Sequence, residues 1–306
     1  MSDRIKHIDT AKGIGMMLII ASHIWTTTGF QSTSIFSGWD SSLNSFYVPL
    51  FFLLSGIFEP NESNRSKYVK RLLSLFKLLP VFAFTGILAV GLIQNKWGLS
   101  SCFKGSLTWF IVTLIWISAI FGIIKNLRYG YVYVIVIMAA GIWLSNTGHS
   151  YLYLGQAALN LPFYAIGFYL KKHLVNSNFN WIVCASTFLV WVATVLIFFK
   201  SPQNLSLNLV SQPYAAFYIE AIAGSLLVIE LSKLASTSFI AWFGRNTLTP
   251  MLLQMAFIML IGRYILADNI LQYALIALIV IMLCAVCVPL LQNKHFNIFK
   301  WRVSLK

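Results

Sequence analysis

Apolar residues gather into ten runs along the chain, at about 13–30, 43–58, 72–94, 106–124, 130–146, 154–170, 180–199, 213–231, 245–266 and 271–291. Most approach the roughly 20 residues that carry a helix across the hydrocarbon core of a bilayer, with the second and fifth shortest. Turn-rich or charged segments separate them: SNRSK with KR at 63–71, KNLR at 125–128, KKH at 171–173, and a basic tail ending WRVSLK. A run of this length must satisfy its own backbone in lipid, which a helix does. The pattern therefore predicts an all-α fold, a polytopic membrane helical bundle of about ten transmembrane helices.

Composition agrees. Of the 306 residues 58% are hydrophobic and 10% charged, far from the roughly 25% charged content of soluble domains. The net charge of +14 does not point to nucleic acid, because the cations sit in short clusters between apolar runs, as membrane anchors do. With the amino terminus placed in the cytoplasm, 18 of the 22 Lys and Arg fall on inside segments and only Lys96, Lys104, Lys200 and Arg263 fall outside. That split obeys the positive-inside rule and predicts both termini in the cytoplasm. The first run lacks a small-x-small cleavage site and reads as a retained anchor. No repeat or low-complexity tract interrupts the chain, and its loops are too short for a soluble domain, so residues 1–306 are expected to form one integral-membrane domain.

The four cysteines add little. Cys284 and Cys287 form a CxxC within the last run, where a thiol packs as a small hydrophobe, and Cys102 has no partner on the outer side. No metal site is expected, since no second Cys pair completes one.

Candidate chemistry concentrates in KGIGMMLIIASH. Lys12 and His23 stand eleven residues apart, which at ~100° per residue returns to within about 20° of one helix face and separates them by some 16 Å. Ionisable groups at mid-membrane are costly and usually serve a function. Asp9, three residues before Lys12, is placed to pair with it and orient it. Glu220 lies inside the eighth run, roughly 10 Å from the outer boundary by helical rise. It is expected to orient His23, to grip a polar substrate, or to pair with Arg263. Asn246 is expected to cap the ninth helix. Trp39, Trp97, Tyr151 and Tyr153 read as interfacial aromatics, and Ser55-Gly56 as close helix packing rather than a nucleophile.

These residues carry a family resemblance. RIKHIDTAKGIGMMLIIASHIW resembles the first helix of the acyltransferase-3 family of membrane O-acyltransferases, whose signature is a basic residue, ten intervening residues and a histidine; Asp9, Lys12, Gly13 and His23 match it. FYVPLFFLLSGIF at 46–58 is similar to the family's second helix, and KRLLSLFKLLP at 70–80 to its basic third-helix start, with Lys77 where Arg is commoner. Trp109-Phe110, LPFYAIGFYLKK at 161–172 and FGRNTLTPMLLQ at 243–254 resemble later blocks in the family's order. One departure stands out: the late helix often ends in His where this chain has Gln254, so His23 is expected to act alone or with a carboxylate.

The resemblance implies transfer of an acyl group, usually acetyl, from cytoplasmic acetyl-coenzyme A to a hydroxyl of a cell-surface or lipid-linked glycan, in the inner membrane of a bacterium. Lipopolysaccharide, capsule and other envelope glycans are candidate acceptors, and succinyl is an alternative donor. Acetyl-coenzyme A is then a co-substrate, with no permanently bound cofactor. A sugar hydroxyl attacks a thioester slowly unless a base takes its proton, and a neutral His23 suits that role. Coenzyme phosphates need cations on the cytoplasmic side, for which Lys12, Arg71 and Lys77 are the candidates. His23 and Glu220 are thus the expected catalytic residues, with Asp9, Trp109 and Asn246 in support. The rival reading is a solute transporter or glycolipid flippase, which should show inverted repeats and interrupted helices.

Overall fold

The computed structural model describes residues 5–27, 34–60, 65–94, 98, 108–148, 151–198, 203–262, 264–265 and 269–292. Ten of its helices overlie the ten apolar runs: α1 (Lys6–Thr27), α2 (Ser34–Ile57), α3 (Arg65–Gln94), α4 (Thr108–Ile124), α5 (Gly130–Asn146), α6 (Leu154–Tyr169), α8 (Trp181–Ile197), α9 (Tyr214–Leu234), α11 (Leu248–Gly262) and α12 (Ile270–Gln292). Two short helices, α7 (Lys171–Asn176) and α10 (Ser238–Arg245), have no counterpart among the apolar runs. Among the described residues the fold is all-α apart from a minimal antiparallel ribbon, β1 (Gln203–Asn204) and β2 (Leu209–Val210), around a 3-10 turn at Leu205–Leu207.

Segments 66–88, 214–234 and 270–291 are long and apolar enough to cross a membrane, and five shorter apolar helices accompany them. Helix α3 starts earlier than its apolar run because Lys and Arg are good helix formers, so Lys67, Lys70 and Arg71 lie on the helix rather than in a loop. A short helix precedes the ninth run. Thr237 caps α10, its hydroxyl accepting from the Ile240 amide at 3.2 Å, and Asn246 ends it before α11 begins.

The chain forms two compact units, residues 41–227 and residues 1–40 with 228–306. In the latter, α1 packs against α10, α11 and α12. Two glycines set the α1–α10 approach: a Cβ on Gly13 would strike the Ile240 carbonyl, and one on Gly244 the Asp9 carbonyl. Small residues let apolar helices come into backbone contact, where dispersion and weak hydrogen bonds replace the missing hydrophobic drive of lipid. Tyr273 of α12 donates to the Ala21 carbonyl at 2.9 Å and meets Trp25 edge-on, which ties α12 to the second half of α1.

In the larger unit α6 is the central element, buried along most of its length and packed on α4 and α5. Gly56 of α2 and Gly167 of α6 interlock, each lying where a side chain would collide with the other helix's backbone, at Tyr164 and Leu53 respectively. Ser55-Gly56 is thus a packing element, as the sequence indicated.

Candidate functional site

In the unit built on α1, Lys12 and His23 lie on a single unbroken helix, so their common face is preserved. The Lys12 ammonium stands 3.9 Å from the Asp9 carboxylate, one turn back, and both side chains keep some exposure. The Gly13 and Gly244 contacts flank this pair, so the first turns of α1 are held by α10 rather than by the charges. Asn246 closes the C-terminus of α10, its Nδ2 donating to the Trp242 carbonyl at 2.7 Å, and at the start of α11 its carbonyl accepts from the Thr249 amide at 3.0 Å.

Eleven residues along, the His23 ring reaches into the helix packing, with Nδ1 cut off from solvent. It meets the side-chain amide of Gln254, the seventh residue of α11. Gln254 is fully buried, and neither its Nε2 nor its Oε1 completes a hydrogen bond of ordinary geometry. A buried amide so placed costs about 1–3 kcal/mol relative to a satisfied one. The group beside the imidazole is therefore an amide, where the sequence points to a carboxylate or to no partner.

The larger unit holds two polar centres. The first is built on Glu59, wholly buried at the end of α2. Lys125 Nζ lies 2.7 Å from its Oε1 and Arg71 Nε 3.5 Å from its Oε2, and the Tyr164 hydroxyl donates to Oε2 at 2.6 Å. Arg71 also donates to the Ser55 carbonyl at 2.9 Å, Lys125 donates to the Pro60 carbonyl at 2.6 Å, and Ser118 lies 3.2 Å from the Tyr164 hydroxyl. One carboxylate thus faces two cations, and an excess positive charge remains. Lys171 at the start of α7 feels it: burial first, then the Arg71 guanidinium, hold its ammonium below the usual lysine range, with Glu59 opposing.

The second centre surrounds Glu220 of α9. Its Oε1 is 2.8 Å from Ser45 Oγ of α2, and its Oε2 accepts from Gln212 Nε2 at 3.0 Å. Arg263, the partner considered from sequence, lies outside the described residues, as do Trp97 and Cys102. Nearby in the chain the β1–β2 ribbon docks on α6 through Gln156 Nε2, which donates to the Ser206 carbonyl at 3.0 Å, and it brings in the buried amides of Gln203 and Asn208.

Of the residues singled out from sequence, Arg71 enters the Glu59 centre, while Lys77 does not. Six residues apart on α3, the two sit about 120° from each other around the helix, and Lys77 is exposed. Trp109 opens α4, half-buried against the edge of Phe110. Sequence reasoning missed Glu59 and took Lys125 for a surface anchor, whereas Lys125 is a buried ion-pair partner. A carboxylate directly before Pro60, at the end of an apolar run, was the only available signal.

A family model described as an acyltransferase domain, that of the acyltransferase-3 family, matches residues 5–289. No curated protein and no solved structure matches the chain.

Proposed function

Because the chain belongs to the acyltransferase-3 family and is a membrane acyltransferase, we propose that it moves an acetyl group from cytoplasmic acetyl-coenzyme A to a hydroxyl of a cell-surface or lipid-linked glycan, with His23 as general base. The observation that carries this reading is the placement of His23 on α1: an imidazole set into helix packing beside a neutral amide, one helix face along from a partly exposed lysine. The ten long helices then cross the bacterial inner membrane with both termini in the cytoplasm, and residues 1–306 act as one acyltransferase domain. The direct test compares envelope glycans of a deletion strain with those of its parent. Loss of about 42 mass units per modified sugar supports acetyl transfer, and unchanged glycans refute it.

Within this scheme Lys12 meets the coenzyme phosphates, with Asp9 fixing its direction, and the ~16 Å to His23 is comparable to the reach of a pantetheine arm. Arg71, which retains guanidinium donors beyond those used by Glu59 and Ser55, is assigned to anion binding within its own unit, with Lys77 as a more exposed cation on another face of α3. Lys12→Ala is expected to weaken coenzyme A binding more than it slows chemistry, and to make that binding less salt-sensitive, because a lost phosphate contact is a lost Coulombic term. Calorimetric titration at two ionic strengths measures both; unchanged affinity would leave Lys12 as a topology anchor.

Glu220 is assigned to the acceptor, since a buried carboxylate among amides is suited to hold sugar hydroxyls. Glu220→Gln keeps the shape and removes the charge, so transfer is expected to fall while membrane insertion stays normal. Full transfer by that variant would reduce the centre to a structural link from α9 to Ser45 and Gln212.

A further inference from the structure

The Gln254 amide is not used by the fold. It is buried in the packing of its own unit, and among the described residues neither end completes a hydrogen bond of ordinary geometry, although a leucine of similar volume would fill the same space without stranding a polar group. The other buried residues of α11, Thr249, Pro250, Leu252 and Ile258, supply it no partner. What it does meet is His23. A buried amide donor beside a general base is an arrangement that can stabilise a charge appearing there during reaction.

We propose that Gln254 Nε2 is the oxyanion donor of the acyl-transfer step, an assignment that rests on His23 serving as its base. The acceptor hydroxyl oxygen attacks the thioester carbonyl carbon while His23 takes the hydroxyl proton. The carbonyl π electrons move onto the carbonyl oxygen, and Gln254 Nε2–H donates to that oxyanion. As the carbonyl re-forms, the C–S bond breaks, the coenzyme thiolate leaves, and the imidazolium returns the proton to it. The products are an oxygen ester and coenzyme A, with His23 and Gln254 as they began.

The alternative role for the amide is to hold the ring through Oε1, and three substitutions separate the two. Gln254→Leu removes both ends. Gln254→Glu keeps an oxygen to accept from the imidazole but replaces the donor by an oxygen that repels an oxyanion. Gln254→His offers a donor again. Inverted membrane vesicles from a deletion strain expressing each form at matched level are supplied with radiolabelled acetyl-coenzyme A, and alkali-labile label in envelope material is counted, with coenzyme A affinity measured on the purified proteins.

The Leu form is expected to lose about 10²–10³-fold in maximal rate with little change in the KM for acetyl-coenzyme A, as removal of one oxyanion donor does elsewhere. The Glu form should be no better than the Leu form, and the His form should recover part of the loss. A Glu form near wild type overturns the proposal in favour of ring positioning, and so does a Leu form within about threefold of wild type while His23→Ala is inactive. If His23→Ala is itself fully active, or wild-type vesicles transfer no label, the underlying reading fails and takes the proposal with it.

Discussion

Replacing His23 by Ala should abolish most acyl transfer while leaving the protein inserted, folded and able to bind coenzyme A. The asymmetry follows from where the residue sits. An imidazole within apolar helices imposes a cost that a methyl group relieves, so the substitution removes chemistry without removing support. The rate is expected to fall by about 10²–10⁴-fold, the usual contribution of a positioned general base. The measurement is acetylation by wild-type and variant protein at matched folded fraction across pH 5–9. A variant that keeps more than about a tenth of the activity would sink the single-histidine mechanism, and Glu220 would become the group to examine as base. Loss of coenzyme binding alongside loss of rate would instead make His23 a packing residue for α1.

The common face of Lys12 and His23 could be read from sequence because it is local. Lys12 and His23 share a helix, and the 3.6-residue period alone puts them on one face. The ten long helices were legible for a similar reason: each apolar run is continuous, and α1 through α6, α8, α9, α11 and α12 lie where those runs lie. The elements that escaped are α7 and α10, of six and eight residues, whose few apolar positions are too short to register as a run. With α10 went the reason for Gly13 and Gly244, since nothing in either glycine's neighbourhood along the chain announces that another backbone lies against it. Gln254 was visible only as a departure from a resembling pattern. Its meaning depended on α11 facing α1, across 231 positions of sequence, which no period reveals.

The Glu59 centre shows the same limit most clearly. Lys125 and Lys172 look alike in sequence, each a cation just past an apolar run, yet Lys172 is exposed and Lys125 is bound to a buried carboxylate. Charge patterning records where cations stand relative to a membrane, not which of them a distant acid will claim. Arg71 was found for its position and turns out to be shared, one face on Glu59 and the aromatic ring of Tyr164 at 5.7 Å.

That sharing makes Glu59 the residue whose loss should cost most in stability. Glu59→Gln preserves the acceptor for Tyr164 but strands two cations, of which Lys125 keeps only 4% of its side chain exposed. Removing one partner of a buried ion pair typically costs about 3–5 kcal/mol, because the remaining charge has lost both water and its counter-ion. Two cations left facing each other place Glu59→Gln at the upper end of that range. Thermal denaturation of the detergent-purified protein, followed by intrinsic tryptophan fluorescence, should show the loss. The double variant Glu59→Gln with Lys125→Met removes the more deeply buried stranded charge while keeping its aliphatic stem, and should regain at least half of it, since an uncharged pair avoids the desolvation penalty altogether. If the double variant is no more stable than Glu59→Gln alone, the cost does not come from the stranded ammonium. It would then lie with the Arg71 guanidinium, which both variants leave without its carboxylate.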